Sequence, residues 1–293
     1  MANDKRVITC TNDDNYSITF GSTFSPLLLT DADGLYMMDN NVNTSENTMV
    51  DGSTYQGSTT KQRNIVLTAV SKSNHQDVRQ LLYKCFKPKS QGTLLYVEGT
   101  ESRQIKYYVE SVNIDAVKRA RSAVISLICN DPFFQDLSDT TVVMAGWESL
   151  FTFAHEFISG GEEFGTRQSE RIKVIQNDSA ADNIGLTITI TASGAVTNPK
   201  ITHVELDEEI QIGTTANPLN MVSGDQVIIT TGTNNKHVYL IHGGVKTEIN
   251  EYLSESSEFI QLMRGSNSLG YEASAGADYM TVSVSWRYLY LGC

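Results

Sequence analysis

The chain is most constrained by residues 122–136, SAVISLICNDPFFQD, where an apolar strand stops at an Asn-Asp-Pro turn followed by two phenylalanines. Five of the six residues in 124–129 are apolar, which favours a strand buried on both faces. Pro132 has no N–H and holds Asp131 extended, so the strand ends there in a turn. The phenylalanines are costly in water, and the turn is expected to fold back and pack them. The segment therefore indicates the end of a domain.

The length of the chain also favours two domains. A chain of 293 residues exceeds what one hydrophobic core usually organises. A boundary after Asp136 gives a first domain of residues 1–136 and a second of residues 137–293. Each is large enough to fold without a metal or a disulfide.

The cysteines favour a protein made in a reducing compartment. They are scattered and form neither a C-x-x-C pair nor a Cys/His cluster: Cys10, Cys85, Cys129 and Cys293. This spacing argues against a zinc site and a disulfide framework, and we expect no cofactor and no metal. No apolar run reaches membrane-spanning length, and the first residues lead into a strand instead of a signal-peptide core. We therefore expect synthesis in a reducing compartment and no membrane insertion.

Charge is distributed unevenly between the two halves. Residues 1–136 hold 14 Lys and Arg against 15 Asp and Glu, whereas residues 137–293 hold 8 against 19. The acidic second half would repel phosphate backbones, so sequence-specific nucleic-acid binding is not expected there. Acidity of this kind otherwise favours solubility.

The first half is predicted to be mostly strand. Polar residues 12–15 separate two short strands, which indicates an opening hairpin over residues 7–21. Residues 31–60 are rich in Asp, Asn, Ser, Thr and Gly, which indicates a long projecting loop or hairpin arm, either mobile or in contact with a partner. Further strands are predicted at residues 64–70, 93–98, 106–115 and 121–129.

One helix is predicted, from Asn74 to Phe86. Its apolar residues recur at the spacing that places them on one stripe: Val78, Leu81, Leu82, Cys85 and Phe86. Ser73 or Asn74 can cap the first turn, and Pro88 follows the end. We therefore expect this helix to pack on a sheet or barrel.

The second half alternates apolar and polar residues as a two-layer β-structure does. Leu186, Ile188 and Ile190 alternate with threonines, and apolar residues alternate along a long last strand over residues 280–290. Hairpins are predicted over residues 226–241 and 237–249. The fold class is mainly β: an N-terminal β-barrel or sheet with one packed α-helix, then an antiparallel β-sandwich.

Catalytic motifs were not found, and the chain is not expected to be an enzyme. There is no G-x-S-x-G, Walker loop, G-x-G-x-x-G or H-E-x-x-H. The carboxylates of 207–209 would suit glycoside cleavage, but neighbouring side chains point apart and a solvated acidic turn is the better interpretation. The pair 162–163 is interpreted in the same way. His242 is expected in a hairpin turn, and His155 at a half-exposed position of a strand over residues 151–157.

The closing aromatics have two interpretations. Trp286, Tyr288 and Tyr290 share one face and would suit a platform for sugar rings. Val282 and Val284 lie on the same face, which favours a place in the sandwich core. Trp286 remains a carbohydrate-contact candidate under the first interpretation.

Several strings in the sequence resemble one family. Asp131, Pro132, Phe133 and Phe134, preceded by Lys118-Arg119-Ala120-Arg121, resemble the end of the N-terminal domain of distal tail proteins of long-tailed phages. Strings that resemble the C-terminal, galectin-like domain of the same proteins are residues 151–157, 194–201, 223–225, 256–262 and 265–267 with the Trp286 strand.

The resemblance implies a virion structural protein of the tail tip or baseplate. It implies a homohexameric ring formed by the N-terminal domains, with galectin-like domains projecting outward. The implied partners are the tail tube protein, the tail-tip hub or tail-associated lysin, and the receptor-binding protein, and DNA passes through the ring during ejection. The His-x-Asn-x-Arg and Trp-x-x-Glu-x-Arg patterns of sugar-binding galectins are missing, so the fold alone does not imply sugar binding. The alternative function is a carbohydrate-binding adhesin that contacts the host cell wall.

Overall fold

The chain forms two compact units. The computed structural model describes residues 6–21, 25–46, 48–49, 51–72, 75–115, 122–145, 147–149, 165–167 and 171–293. The first unit comprises Met1–Leu137 together with Leu289–Cys293, and the second comprises Ser138–Tyr288. The chain thus leaves the first unit and returns to it, so the second unit is an insertion near the C-terminus.

In its described residues, the first unit is a β-barrel with one helix. Its elements are β1 (Val7–Asn12), β2 (Ser17–Phe20), β3 (Leu27–Asp33), β4 (Asn40–Glu46), β5 (Ser53–Thr60), β6 (Arg63–Ser71), α1 (His75–Cys85), β7 (Gln91–Glu98), β8 (Glu101–Ile114), β9 (Ser122–Cys129) and β10 (Phe134–Gln135). Seven strands follow one another in the order β8, β7, β1, β2, β3, β6, β9, and β9 pairs back onto β8. All of these pairs are antiparallel except β2 with β3.

Barrel closure explains why β9 is buried on one face only. Its residues alternate, with Ala123, Ile125 and Leu127 buried, whereas Val124 is 38% exposed. The prediction of burial on both faces was therefore wrong. A barrel wall has one inner face that packs the core, and its outer face is covered only where another element lies on it.

Helix α1 packs its apolar stripe on the barrel, as predicted. Val78, Leu82 and Cys85 are buried, together with Phe86 just after the helix. The Phe86 ring lies 6.2 Å from that of Tyr107, centroid to centroid. The proposed caps Ser73 and Asn74 lie outside the described residues.

Strands β4 and β5 form the hairpin arm that the polar segment predicted. Within the described part of the chain they pair only with each other, and nearly all their residues are exposed on both faces. At its base the Lys61 N–H donates to the Asp39 carbonyl at 2.8 Å. The two ends of the arm therefore lie side by side.

The second unit is built from antiparallel sheets. Its strands are β11 (Thr140–Ala145), β12 (Trp147–Ser149), β13 (Gly165–Arg167), β14 (Ile172–Asn177), β15 (Asn183–Gly185), β16 (Thr187–Ala192), β17 (Val196–His203), β18 (Glu208–Gln211), β19 (Asn220–Met221), β20 (Gln226–Gly232), β21 (Asn235–His242), β22 (Val245–Glu248), β23 (Gln261–Met263), β24 (Gly265–Ala275) and β25 (Met280–Trp286). One sheet has the order β11, β25, β16, β20, β21, β22, and the other has β14, β24, β17, β18 with β19 beside β17. Short 3-10 turns lie at Asn250–Tyr252 and Ala277–Tyr279.

The long last strand was predicted wrongly. β25 ends at Trp286, and β26 (Leu289–Tyr290) pairs with β10 in the first unit. The alternation of apolar residues continues across the break, so the pattern alone did not reveal it. The predicted fold class itself, mainly β with one packed helix and then an antiparallel sandwich, is confirmed. Within the described residues, no helix has the length and apolar character needed to cross a membrane.

Candidate functional site

The Asn-Asp-Pro-Phe-Phe segment forms a closed turn at the end of β9. The Asp131 carboxylate accepts the Phe133 N–H at 3.2 Å and the Gln135 side-chain amide at 3.2 Å. An Asp that binds the backbone two residues on is a common way to close a turn. Phe134 is fully buried, whereas Phe133 is half-buried. The turn thus packs one of its two phenylalanines completely.

Arg63 holds this turn to two distant segments. It is only 4% exposed, and its Nε donates to the Pro132 carbonyl at 2.7 Å. Its Nη1 donates to the carbonyls of Gly34, at 2.6 Å, and Leu35, at 3.1 Å. Its Nη2 donates to the Leu291 carbonyl. The planar guanidinium therefore satisfies four carbonyls at once, which the single ammonium of a lysine would not match.

The same guanidinium also stacks on the buried phenylalanine of the turn. The Cζ atom of Arg63 lies 5.0 Å from the centre of the Phe134 ring. Burial lowers the pKa of Arg63, although a guanidinium stays protonated at neutral pH. The carbonyl oxygens and the ring face thus supply the negative potential around a buried cation.

A second arginine holds the returning C-terminal segment. Arg103 Nη1 donates to the Gly292 carbonyl at 2.5 Å, and its guanidinium lies 4.1 Å from the centre of the Tyr290 ring. The Tyr290 hydroxyl donates to the Asp136 carboxylate at 3.2 Å. We call Arg63, Arg103 and the segment Leu289–Cys293 the C-terminal clasp. Its groups are occupied by one another, so this is a structural site.

A cavity of about 340 Å³ lies on the barrel beside β3. Tyr36 and Tyr96 line it, with their hydroxyls 2.6 Å apart, and the Tyr96 hydroxyl donates to Glu98 at 2.5 Å. Arg6 Nε donates to the other Glu98 oxygen at 2.8 Å. Burial raises the pKa of Tyr96 strongly, so its hydroxyl stays protonated and serves as a donor.

The carboxylates at 207–209 do not converge on one point. Asp207 lies in the turn with a φ of +55°, and Glu208 and Glu209 follow on β18. Glu209 lies 3.4 Å from the Lys200 ammonium and accepts the Ser256 hydroxyl at 3.0 Å. Asp207 thus lies in an exposed turn, as the sequence favoured, whereas Glu208 and Glu209 belong to a strand and are partly buried. Among the described residues, no cluster of His, Cys, Asp and Glu has a metal-binding arrangement.

The histidine candidates are separated. His242 is exposed at the end of β21, where its Nδ1 lies 2.7 Å from the buried carboxylate of Asp225. Asp225 also accepts the Val222 N–H at 2.9 Å, so it closes the turn before β20. His155, the pair 162–163 and the predicted strand 151–157 lie outside the described residues, as does the string 118–121.

Trp286 points into the unit and away from solvent. It is 5% exposed and shares the inner face of β25 with buried Val282 and Val284. Tyr288 meets it edge to face, with ring centres 6.1 Å apart. The side chain has no open face on which a sugar ring can stack, which agrees with the interpretation as core.

Sequence reasoning missed a buried polar cluster in the second unit. His203 is fully buried, and its Nε2 lies 2.9 Å from the Asn267 amide oxygen, while its Nδ1 accepts the Leu206 N–H. Asn267 in turn binds the backbone N–H and C=O of Met263. These bonds fix the β23–β24 corner. The sequence did offer one signal: in β17, His203 lies two residues after Ile201 and therefore on the same, buried face of the strand.

Two family models match the chain, one in each half. A phage tail protein RIFT-related domain matches residues 17–129. The C-terminal domain of a siphovirus-type tail component matches residues 179–290. Among curated protein sequences, none matches significantly.

Solved structures show the same fold over almost the whole chain. Dit (gp 19.1) of phage SPP1 is 13% identical to this chain, with a TM-score of 0.64. The match covers 97% of this chain and 99% of SPP1 Dit. A chain of the phage P2 baseplate in its activated conformation with Ca is 10% identical, with 97% and 98% covered and a TM-score of 0.53.

The two domains and their order define a structural protein of siphophage tails. The chain belongs to the distal tail protein (Dit) family of these phages. Its role is that of a structural component of the tail tip or baseplate, and its location is the virion tail tip.

Proposed function

We propose that six copies of this chain close into a ring that joins the tail tube to the tail-tip hub and the receptor-binding apparatus, without catalysis. The observation that carries the proposal is the pairing of a phage tail domain with a Dit C-terminal domain in one chain. A ring lets each copy bury one modest heterologous surface that closes on itself, with no open filament.

The hairpin arm is the contact that suits such a ring. A two-stranded hairpin with both faces in water is marginally stable on its own. The arm carries exposed apolar side chains at Val42 and Tyr55, and Met49 at its tip is almost fully exposed. Packing these groups on a second copy would remove them from water and stabilise the arm.

Insertion of the second unit between Leu137 and Leu289 suits the same role. The chain passes between the two units twice, after Leu137 and before Leu289, and the C-terminal clasp holds the returning end within the first unit. The first half is close to neutral, so a channel formed by it would not hold passing DNA by counterion release.

Native mass spectrometry of the full chain tests the proposal. At protein concentrations at which rings form, we expect the mass of a hexamer. Replacing residues 40–60 by a two-residue Asn-Gly turn removes the arm, because Asp39 and Lys61 already lie side by side. We expect this variant to stay folded and to lose the ring.

The control is Tyr83→Ala, which removes an exposed aromatic side chain on α1, outside the arm. It is expected to keep the ring. A full-length protein that stays monomeric and joins neither tube nor hub proteins contradicts the proposed function. A ring that survives loss of the arm contradicts only the role given to the arm.

A further inference from the structure

An open groove in the second unit has features of a carbohydrate site. Its volume is about 1030 Å³, and its lining includes Arg171, Ser193, Asp278 and Tyr279. Tyr279 is 53% exposed, in contrast to the buried Trp286. The groove therefore presents an aromatic ring to solvent beside charged and polar groups.

The exposed ring is held in place by its backbone. Tyr279 N–H donates to Gly276 C=O at 2.8 Å, and its own carbonyl accepts the N–H and hydroxyl of Ser193, at 2.8 and 3.0 Å. Gly276 has a φ of +74°, and a Cβ there would collide with the Ala195 carbonyl. This turn thus requires glycine.

The ring itself rests on a second glycine. A Cβ at Gly194 would lie 2.8 Å from Cγ of Tyr279, so any larger residue would push the ring away. A side chain fixed in this way loses little conformational entropy when a ligand stacks on it. The site is therefore preorganised, which an ordinary exposed tyrosine is not.

Donors and acceptors lie beside the ring. Arg171 Nη2 is 3.9 Å from Asp278 Oδ1, which is beyond hydrogen-bonding distance, and both side chains are largely exposed. The guanidinium offers a planar set of donors and the carboxylate a pair of acceptors. Two neighbouring hydroxyls of a ligand can bridge such groups.

We propose that this groove binds a neutral pyranose unit of a polysaccharide. A pyranose has an apolar C–H face that can lie on the Tyr279 ring and a rim of hydroxyls that can reach Arg171 and Asp278. The excess of acidic residues in the second half disfavours polyanions. Because the groove is open, it accepts a unit within a longer chain. This binding does not require that six copies of the chain assemble into the proposed ring.

The test uses full-length protein on an array of neutral oligosaccharides of glucose, galactose, rhamnose, N-acetylglucosamine and N-acetylgalactosamine, with poly(glycerol phosphate) as the anionic probe. The strongest neutral binder is then titrated by calorimetry. Tyr279→Ala is expected to weaken its affinity about tenfold or more, and Tyr279→Phe by no more than about threefold, because the phenylalanine keeps the stacking face. Asp278→Asn, at a position whose side chain is 81% exposed, is expected to weaken the affinity about threefold to tenfold.

Tyr83→Ala is the matched control, since Tyr83 has the same residue type and an exposure of 51% outside the groove. It is expected to leave the affinity unchanged. Tryptophan fluorescence during urea unfolding verifies that each groove variant is folded. Absence of any neutral binder, binding of the anionic probe alone, or full affinity in both Tyr279→Ala and Asp278→Asn overturns the proposal.

Discussion

Replacing Arg63 by methionine is expected to destabilise the first unit by about 3 kcal/mol. The four carbonyls that Arg63 binds would lose their donor, at a cost of at least about 1 kcal/mol each. Loss of the cation above the Phe134 ring adds about 1 kcal/mol. Methionine is uncharged, so the mutant avoids the desolvation cost of a buried charge, which offsets about 2 kcal/mol of the loss.

The two units can be followed separately in one experiment. All four cysteines belong to the first unit, whereas both tryptophans, Trp147 and Trp286, belong to the second. Labelling of the three buried thiols, Cys10, Cys85 and Cys129, in increasing urea therefore reports unfolding of the first unit, and tryptophan fluorescence reports that of the second. Arg63→Met is expected to lower the thiol-labelling midpoint and to speed hydrogen exchange in Leu289–Cys293.

Arg6→Met is the matched control for this experiment. Arg6 is exposed and its ion pair with Glu98 lies at the surface, where such pairs contribute less than about 1 kcal/mol. If Arg63→Met costs no more than Arg6→Met, the C-terminal clasp does not hold the first unit together. An unchanged exchange rate in the returning segment would point the same way.

Three further changes have defined expectations. Burial raises the pKa of Cys85 to about 11 and that of Cys129 to about 12. As the pH rises above about 9, these thiols therefore ionise in the unfolded chain before they ionise in the folded one. The free energy of unfolding is unaffected below pH 9 and should fall above it by about 1.4 kcal/mol per thiol for each pH unit. Circular dichroism in urea at pH 8 and 10 measures this fall, and Cys129→Ala should reduce it; an equal fall in both proteins would contradict the reasoning. Tyr107→Phe should stabilise the first unit by about 1 kcal/mol, because the buried Tyr107 hydroxyl has no hydrogen-bond partner among the described residues; a lower thiol-labelling midpoint would show that the hydroxyl is bonded. Gly276→Ala should cost at least about 1–3 kcal/mol, because its φ is +74° and the added Cβ would also collide with the Ala195 carbonyl. It should lower the fluorescence midpoint of the second unit while thiol labelling stays unchanged; equal shifts in both signals would contradict separate unfolding.

Local patterns predicted the elements whose partners lie nearby in the sequence. The stripe from Val78 to Phe86 and the alternation around Ile188 follow directly from the periods of a helix and a strand. The arm over residues 31–60 was recognised by composition, although β3 occupies its first residues. In these segments the periodicity or the composition of the local sequence is itself the signal.

Features that join distant segments could not be predicted in this way. Arg63 and Leu291 are 228 positions apart, and nothing local indicates that a single arginine binds four carbonyls. Barrel closure decides that Val124 faces outward, and a continuous apolar run cannot show that. The break after Trp286 was hidden because the apolar period continues into β26. The groove around Tyr279 could not be predicted for the same reason, because Gly194 and Arg171 are distant from Tyr279 in the sequence and meet it only in the fold.

Imaging the intact virion at moderate resolution is a direct test of the proposed ring. We expect six copies of this chain in a closed ring at the end of the tail tube, with the first units forming the ring. Density at the tip that does not accommodate such a ring, or this chain located elsewhere in the particle, would contradict it.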